Sequence, residues 1–147
     1  MSLKDQLNDA MKAAMKARDN LRLSAVRMVR AAIKNREIDT RIELDDQAVI
    51  DVISTMAKQR RESIRMYCEG NRPELAEKEE SELAVLLEFL PTQLNSEEID
   101  SLILQIIQSI DAHGAKDMGR VMKAVTPLTA GKADGKIVSD SVRKLLA

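Results

Sequence analysis

The residues of this chain best suited to chemistry are cations set at helical spacing. Arg27, Arg30 and Lys34 fall within one sector of a helical stretch, and Lys58, Arg61 and Arg65 share a sector of the next. Set side by side, the two rows would offer six cations to a phosphate backbone, the contact that supplies most sequence-independent affinity for nucleic acids. The plainer reading is a solvated face in which Glu62 pairs with Lys58 and Glu69 with Arg65. Such i,i+4 pairs are worth about 0.2–0.5 kcal/mol each and explain solubility better than binding.

A second cationic group lies near the C-terminus. The run Gly131-Lys132-Ala133-Asp134-Gly135-Lys136 combines two glycines for tight backbone, an aspartate placed to cap the last helix, and lysines beside a helix start. Backbone N–H groups and lysines together can hold a phosphate. The spacing is not that of a phosphate-binding glycine loop and no strand precedes it, so a structural turn with Asp134 as cap is the first reading and a nucleic-acid contact the second. Lys116, Arg120 and Lys123 add positive charge around the preceding helix.

Groups for catalysis are sparse. His113 is the one histidine and Cys68 the one cysteine, far apart and each at an expected helix end. Cys68 reads as a small, semi-buried residue. Asp45-Asp46 and Glu79-Glu80-Glu82 are neighbours in sequence, and neighbouring residues diverge around a helix instead of converging on a metal. No catalytic residue, metal site or cofactor is therefore expected, and the chain reads as noncatalytic. A lone cysteine rules out an intrachain disulfide. With no apolar signal core at the N-terminus and no run of membrane-spanning length, the expectation is a cytoplasmic protein that does not enter a membrane.

The elements that must position these residues are helices. Apolar residues make up 44% of the 147, but with one Phe, one Tyr and no Trp the core is left to Leu, Ile, Val, Met and Ala. Strands usually collect the aromatic residues this chain lacks. The net charge of −1 hides a regional pattern: residues 1–36 carry nine Lys/Arg against three Asp/Glu, residues 37–57 one against six, and residues 69–88 two against seven. An electrostatic footprint must be equally regional.

Taken in order, Leu3, Leu7, Ala10, Met11, Ala14 and Met15 predict a first helix, and Asn20 is the expected cap of a second, built on an apolar arc of Leu21, Ala25, Val26, Met28, Val29, Ala32 and Ile33. Residues 37–46 read as a polar loop. A third helix starts at Asp45 or Asp46 and runs to about Cys68. Asn71, Pro73 and Glu74 together signal a fourth, with Asn71 at the cap. Phe89, Leu90 and Pro91 end it, in a junction over residues 83–94 whose apolar side chains, with Leu94, are expected to pack between two bodies. Beyond it, Asn95 and Glu98 form a capping pair for a helix over 96–111. Two more follow, over 117–126, stopped by Pro127, and over 134–146, with Ile137 pointing inward. The fold class expected is all-α: an N-terminal antiparallel domain of about four helices over 1–91, then a small three-helix domain over 95–147.

Four ordered segments carry a resemblance. They are Leu21-Arg22-Leu23-Ser24-Ala25-Val26-Arg27-Met28-Val29, Lys58-Gln59-Arg60-Arg61-Glu62-Ser63, Leu87-Glu88-Phe89-Leu90-Pro91-Thr92-Gln93-Leu94, and Asp117-Met118-Gly119-Arg120-Val121-Met122 with the glycine–lysine run. In these the chain resembles the YqeY family, whose C-terminal part is similar to the tail domain of the GatB subunit of the aspartyl/glutamyl-tRNA amidotransferase. The resemblance implies a two-part helical protein and, through that relative, contact with tRNA. Family names can carry a carbon–nitrogen ligase label with glutamine as amido donor, for which no catalytic constellation is visible here. The expected function is a noncatalytic module that binds tRNA or another folded RNA by shape and phosphate, or associates with a protein of tRNA metabolism. The scarcity of aromatic residues argues against sequence-reading of single-stranded bases. The alternative is a protein-interaction adaptor without RNA. Oligomeric state stays open.

Overall fold

The computed structural model describes all 147 residues. It contains seven α-helices and no strand: α1 Leu3–Ala17, α2 Asn20–Thr40, α3 Asp46–Glu69, α4 Pro73–Leu87, α5 Ser96–Ser109, α6 Met118–Thr129 and α7 Gly135–Leu146, with a single 3-10 turn at Ala115–Asp117. The protein is all-α. The chain divides into two compact units, Met1–Pro91 and Thr92–Ala147.

In the first unit, short side-chain caps set the helix boundaries. Ser2 accepts the Asp5 N–H to start α1, which ends at Arg18 in the left-handed conformation, φ 55°. That single residue turns the chain, so Asp19 is the last non-helical position and caps α2 by accepting the Arg22 N–H at 3.1 Å. Asn20, the expected cap, is already helical. The expected loop over 37–46 is also shorter, because α2 continues to Thr40. Glu37 is tied to Lys4 and to the Leu44 N–H, the Thr40 hydroxyl donates to the Arg36 carbonyl, and the turn is delayed to Arg41 at φ 58°. Asp45 then caps α3. At the far end of α3, Asn71 takes φ 57° and serves as the turn residue, so Arg72 occupies the cap position of α4 without a side-chain bond. Pro73 at the helix start compensates by fixing φ where no N–H is needed.

These helices enclose a core of Leu7, Val26, Val29, Ile33, Val49, Ile53, Leu86 and Phe89, with Leu90 packed against it. Phe89 is thus a core residue of the first unit, held in a tightened turn by Phe89 N–H to Leu86 and Leu90 N–H to Leu87. Leu94 packs into the other core. Each half of the junction is anchored in its own unit.

The second unit starts with the full capping box of Asn95 and Glu98, two reciprocal bonds of 2.8 and 3.2 Å. Ile99 and Ile103 from α5, Val121 and Val125 from α6, and Val138, Val142 and Leu146 from α7 form its core. Pro127 does not stop α6, which runs on to Thr129. It falls in the last turn, where its missing N–H forfeits one bond, and the Thr126 and Thr129 hydroxyls bond back to the Met122 and Val125 carbonyls. Ile137 is exposed, since the buried stripe of α7 passes through Val138 and Val142 on its other side.

Candidate nucleic-acid interface

The apolar stripe of α2 faces the core through Val26, Val29 and Ile33, which puts Arg27, Arg30 and Lys34 along its flank toward α1. There they line a groove of about 470 Å³, together with Lys4, Leu7 and Met11 of α1 and Ile33 and Glu37 of α2. Lys4 is not free. It pairs with Glu37 and stands 3.6 Å from Glu43. The Lys4 ammonium, and after it the Leu44 N–H at 2.8 Å, hold the Glu37 carboxyl below its usual range; the bond to Glu37 in turn raises Lys4. Lys4 and Glu37 therefore cancel. Arg27, Arg30 and Lys34 enter no ion pair, and Arg30 Nη1 lies 2.8 Å from the Met11 sulfur.

The α3 row is placed differently. Lys58 and Arg65 sit opposite the buried Val49–Ile53 stripe and are exposed, Arg61 is half-buried, and none of the three lines the groove. The pairs expected with Glu62 and Glu69 do not form. The cation that faces α2 is Arg60, which sequence reasoning passed over. Its guanidinium lies 3.0 Å from Glu79 and 3.2 Å from Glu82 on α4, and 3.3 Å from the Met28 sulfur on α2. A signal for it existed, because Arg60 falls on the apolar stripe of α3, where a charge needs a partner.

In the second unit Arg120 is consumed by structure. Its Nη2 donates to the Ile110 carbonyl at 2.6 Å, and its Nη1 meets Asp117 at 3.2 Å. Asp117 also accepts the His113 N–H at 2.7 Å; that bond leads, and Arg120 and Lys116 add to, the lowering of its pKa. Lys116, Lys123, Lys132 and Lys136 are exposed. Lys132 stands on the rim of a second groove, of about 610 Å³, beside Glu97 and Glu98 over Leu94, Leu102 and Leu128. Its main chain is fixed by the Leu94 N–H to its carbonyl and by its own N–H to Thr129. The Lys136 N–H, which a phosphate at the α7 start would use, is taken by Asp134 at 3.1 Å. Gly131 adopts φ 75°, but Gly135 is an ordinary first helical residue, so only one of the two glycines supplies a tight turn. The glycine–lysine run is built as a turn and cap.

His113 is exposed and bonded to Asp111 at 2.9 Å, while Cys68 is exposed instead of semi-buried because it lies off the inner stripe of α3. No helix is long and apolar enough to cross a membrane.

An all-helical chain in two units, with one groove rimmed by the unpaired Arg27, Arg30 and Lys34, defines a helical module of the kind the sequence resemblance implied. The family model described as Yqey-like protein matches residues 4–146, and the chain belongs to that family. It is similar to "Altered inheritance of mitochondria protein 41, mitochondrial" of Kluyveromyces lactis, 36% identical over 108 residues that make up 71% of this chain and 58% of the relative. The protein of the same name from Lachancea thermotolerans is 34% identical over 76% of this chain and 63% of the relative. That from Eremothecium gossypii is 30% identical over 96% and 79%. The matches to the first two relatives span less than two thirds of their length. The expectation of a cytoplasmic protein is overturned by these relatives, which are named as mitochondrial.

Proposed function

We propose that this protein is a noncatalytic module that binds folded RNA, tRNA first among candidates, through the α1–α2 flank. The observation that carries the reading is the row Arg27, Arg30 and Lys34, which lines one groove without a pairing carboxylate in a chain of net charge −1. The resemblance of the C-terminal part to a tRNA amidotransferase tail supports the choice of RNA. Arginine suits the task, because its planar fork meets phosphate oxygens in two parallel bonds. The acidic tracts at 37–57 and 69–88 repel RNA from the rest of the first unit and so orient it.

Binding of purified tRNA and of an unrelated duplex RNA across a salt series tests this. Affinity should fall as salt rises, and Arg27→Ala with Lys34→Ala should weaken binding to both RNAs. Removing two phosphate contacts should also flatten the salt dependence by about 1–2 in log–log slope. A wild-type chain that binds neither RNA at low salt, while a defined protein partner is recovered from nuclease-treated extract, would reject RNA in favour of a protein adaptor.

A further inference from the structure

The α1–α2 groove holds more than phosphate contact requires. Cations on an open surface suffice for a run of phosphates, yet here Arg27, Arg30 and Lys34 rim an apolar floor of Met11 and Ile33, with Leu7 buried beneath it. Leu7 and Ile33 are buried, and the half-buried Met11 presents its sulfur to the Arg30 guanidinium at 2.8 Å. That contact sets the exposed guanidinium beside the floor. The groove therefore offers a flat cation, a polarisable thioether and aliphatic carbon in one place. This is a surface for an aromatic heterocycle, since nucleobases stack on guanidinium planes as they do on rings, and thioether sulfur packs well against aromatic edges. The single phenylalanine is committed to the core, so the planar groups of the groove are the guanidiniums of Arg27 and Arg30, and Arg30 is the one set against Met11.

We infer that the groove holds one unpaired nucleobase of the bound RNA. The base stacks on Arg30 and packs against Met11 and Ile33, while Arg27 and Lys34, seven residues apart on α2, take the phosphates that flank it. The inference rests on the RNA-binding reading and narrows its ligand to folded RNA with an unpaired nucleotide at an end or a bulge. The groove does not select among bases. Its one carboxylate, Glu37, is already occupied by Lys4 and the Leu44 N–H, and stacking accepts every base.

Fluorescence anisotropy of matched hairpin RNAs tests the inference: a blunt hairpin, one with a short single-stranded 3′ overhang, one with a single-nucleotide bulge, and the last two again with the unpaired base removed to leave an abasic site. Phosphate number is then equal within each pair. The base-bearing hairpin should bind roughly tenfold more tightly than its abasic counterpart in at least one pair, the scale of one base stacked on a protein surface. A 2-aminopurine at that position should change its emission on binding. Arg30→Lys, which keeps the charge and removes the plane, should abolish the preference, so that this variant binds the base-bearing and abasic forms of each pair equally. Equal affinity for base-bearing and abasic forms in both pairs, or a preference that survives Arg30→Lys, overturns the inference and leaves phosphate binding standing. Failure to bind every hairpin at low salt overturns both.

Discussion

Arg60 on α3 donates to Glu79 on α4 across 3.0 Å, with only 18% and 16% of the two side chains exposed. Glu82, one turn further along α4, meets the same guanidinium nitrogen at 3.2 Å and is 12% exposed. One cation thus balances two mostly buried carboxylates, and its other nitrogen reaches the Met28 sulfur on α2. Arg60→Ala leaves those carboxylates facing each other without a counter-charge. The expected loss is about 2–4 kcal/mol, read as a lower urea midpoint of helical ellipticity. Adding Glu79→Ala and Glu82→Ala should recover part of it, because the penalty lies in the orphaned charges. A loss below about 0.5 kcal/mol in the single variant would place the arrangement among ordinary surface pairs.

The tie between Lys4 and Glu37 gives the first unit a pH dependence of known sign. The folded state lowers the Glu37 pKa, so its contribution is fully present above the ordinary glutamate range and is lost as pH falls through the lowered value. Lys4 is shifted the other way. Its contribution is fully present below the ordinary lysine range and is lost as pH rises through the raised value. Thermal midpoints of the wild type and Glu37→Gln should differ most near neutrality and converge as pH falls through the lowered Glu37 pKa. No difference between the two at any pH would show that the bond to the Leu44 N–H, which a glutamine can also accept, accounts for the whole effect.

Gly131 and Gly135 look equivalent in the glycine–lysine run and should respond oppositely to alanine. Gly131 sits at φ 75°, where a Cβ crowds the following carbonyl, so Gly131→Ala is expected to cost about 1–2 kcal/mol. Gly135 is helical, and a Cβ there would meet nothing within 4 Å. Gly135→Ala should be neutral or stabilising by up to about 1 kcal/mol, through the reduced freedom of the unfolded chain. Differential scanning calorimetry of the two variants decides whether the run is a turn followed by a cap.

The helices were legible wherever a cap coincided with a change of period. Asn95 with Glu98, Asp45, and Asp134 all cap as their spacing implies, since each bond is local. The misplaced boundaries depend on something distant or on a choice between neighbours. Residues 37–40 stay helical because Lys4, more than thirty positions away, reaches Glu37, and no window around Glu37 contains that partner. Asn71 and Asn20 miss the cap positions expected of them because an asparagine at a helix junction also suits a left-handed turn or a first helical position, and the end of the preceding helix decides which. The site was half legible. Helical spacing placed Arg27, Arg30 and Lys34 on one flank, but whether a second cationic row joins them depends on how α3 rotates about its own axis, and the inward-facing Arg60 reports that rotation.

That rotation separates the cations into sets of equal charge and unequal surroundings, which gives the sharpest expectation. Arg27→Ala with Lys34→Ala removes two charges from the groove, and Lys58→Ala with Arg65→Ala removes two from the outer face of α3. If the groove is the contact surface, the first pair should reduce RNA affinity by tenfold or more at moderate salt, at about 1 kcal/mol per phosphate contact. The second should change it less than threefold, through the screened long-range field alone. Arg120→Ala belongs to neither set. Its guanidinium closes the end of α5 at the Ile110 carbonyl, so its removal should lower the thermal midpoint of the second unit and leave RNA affinity within twofold. Equal losses from the two arginine–lysine pairs would mean that RNA senses only the charge of the whole first unit. The groove would then have no privileged part in binding, whatever its shape.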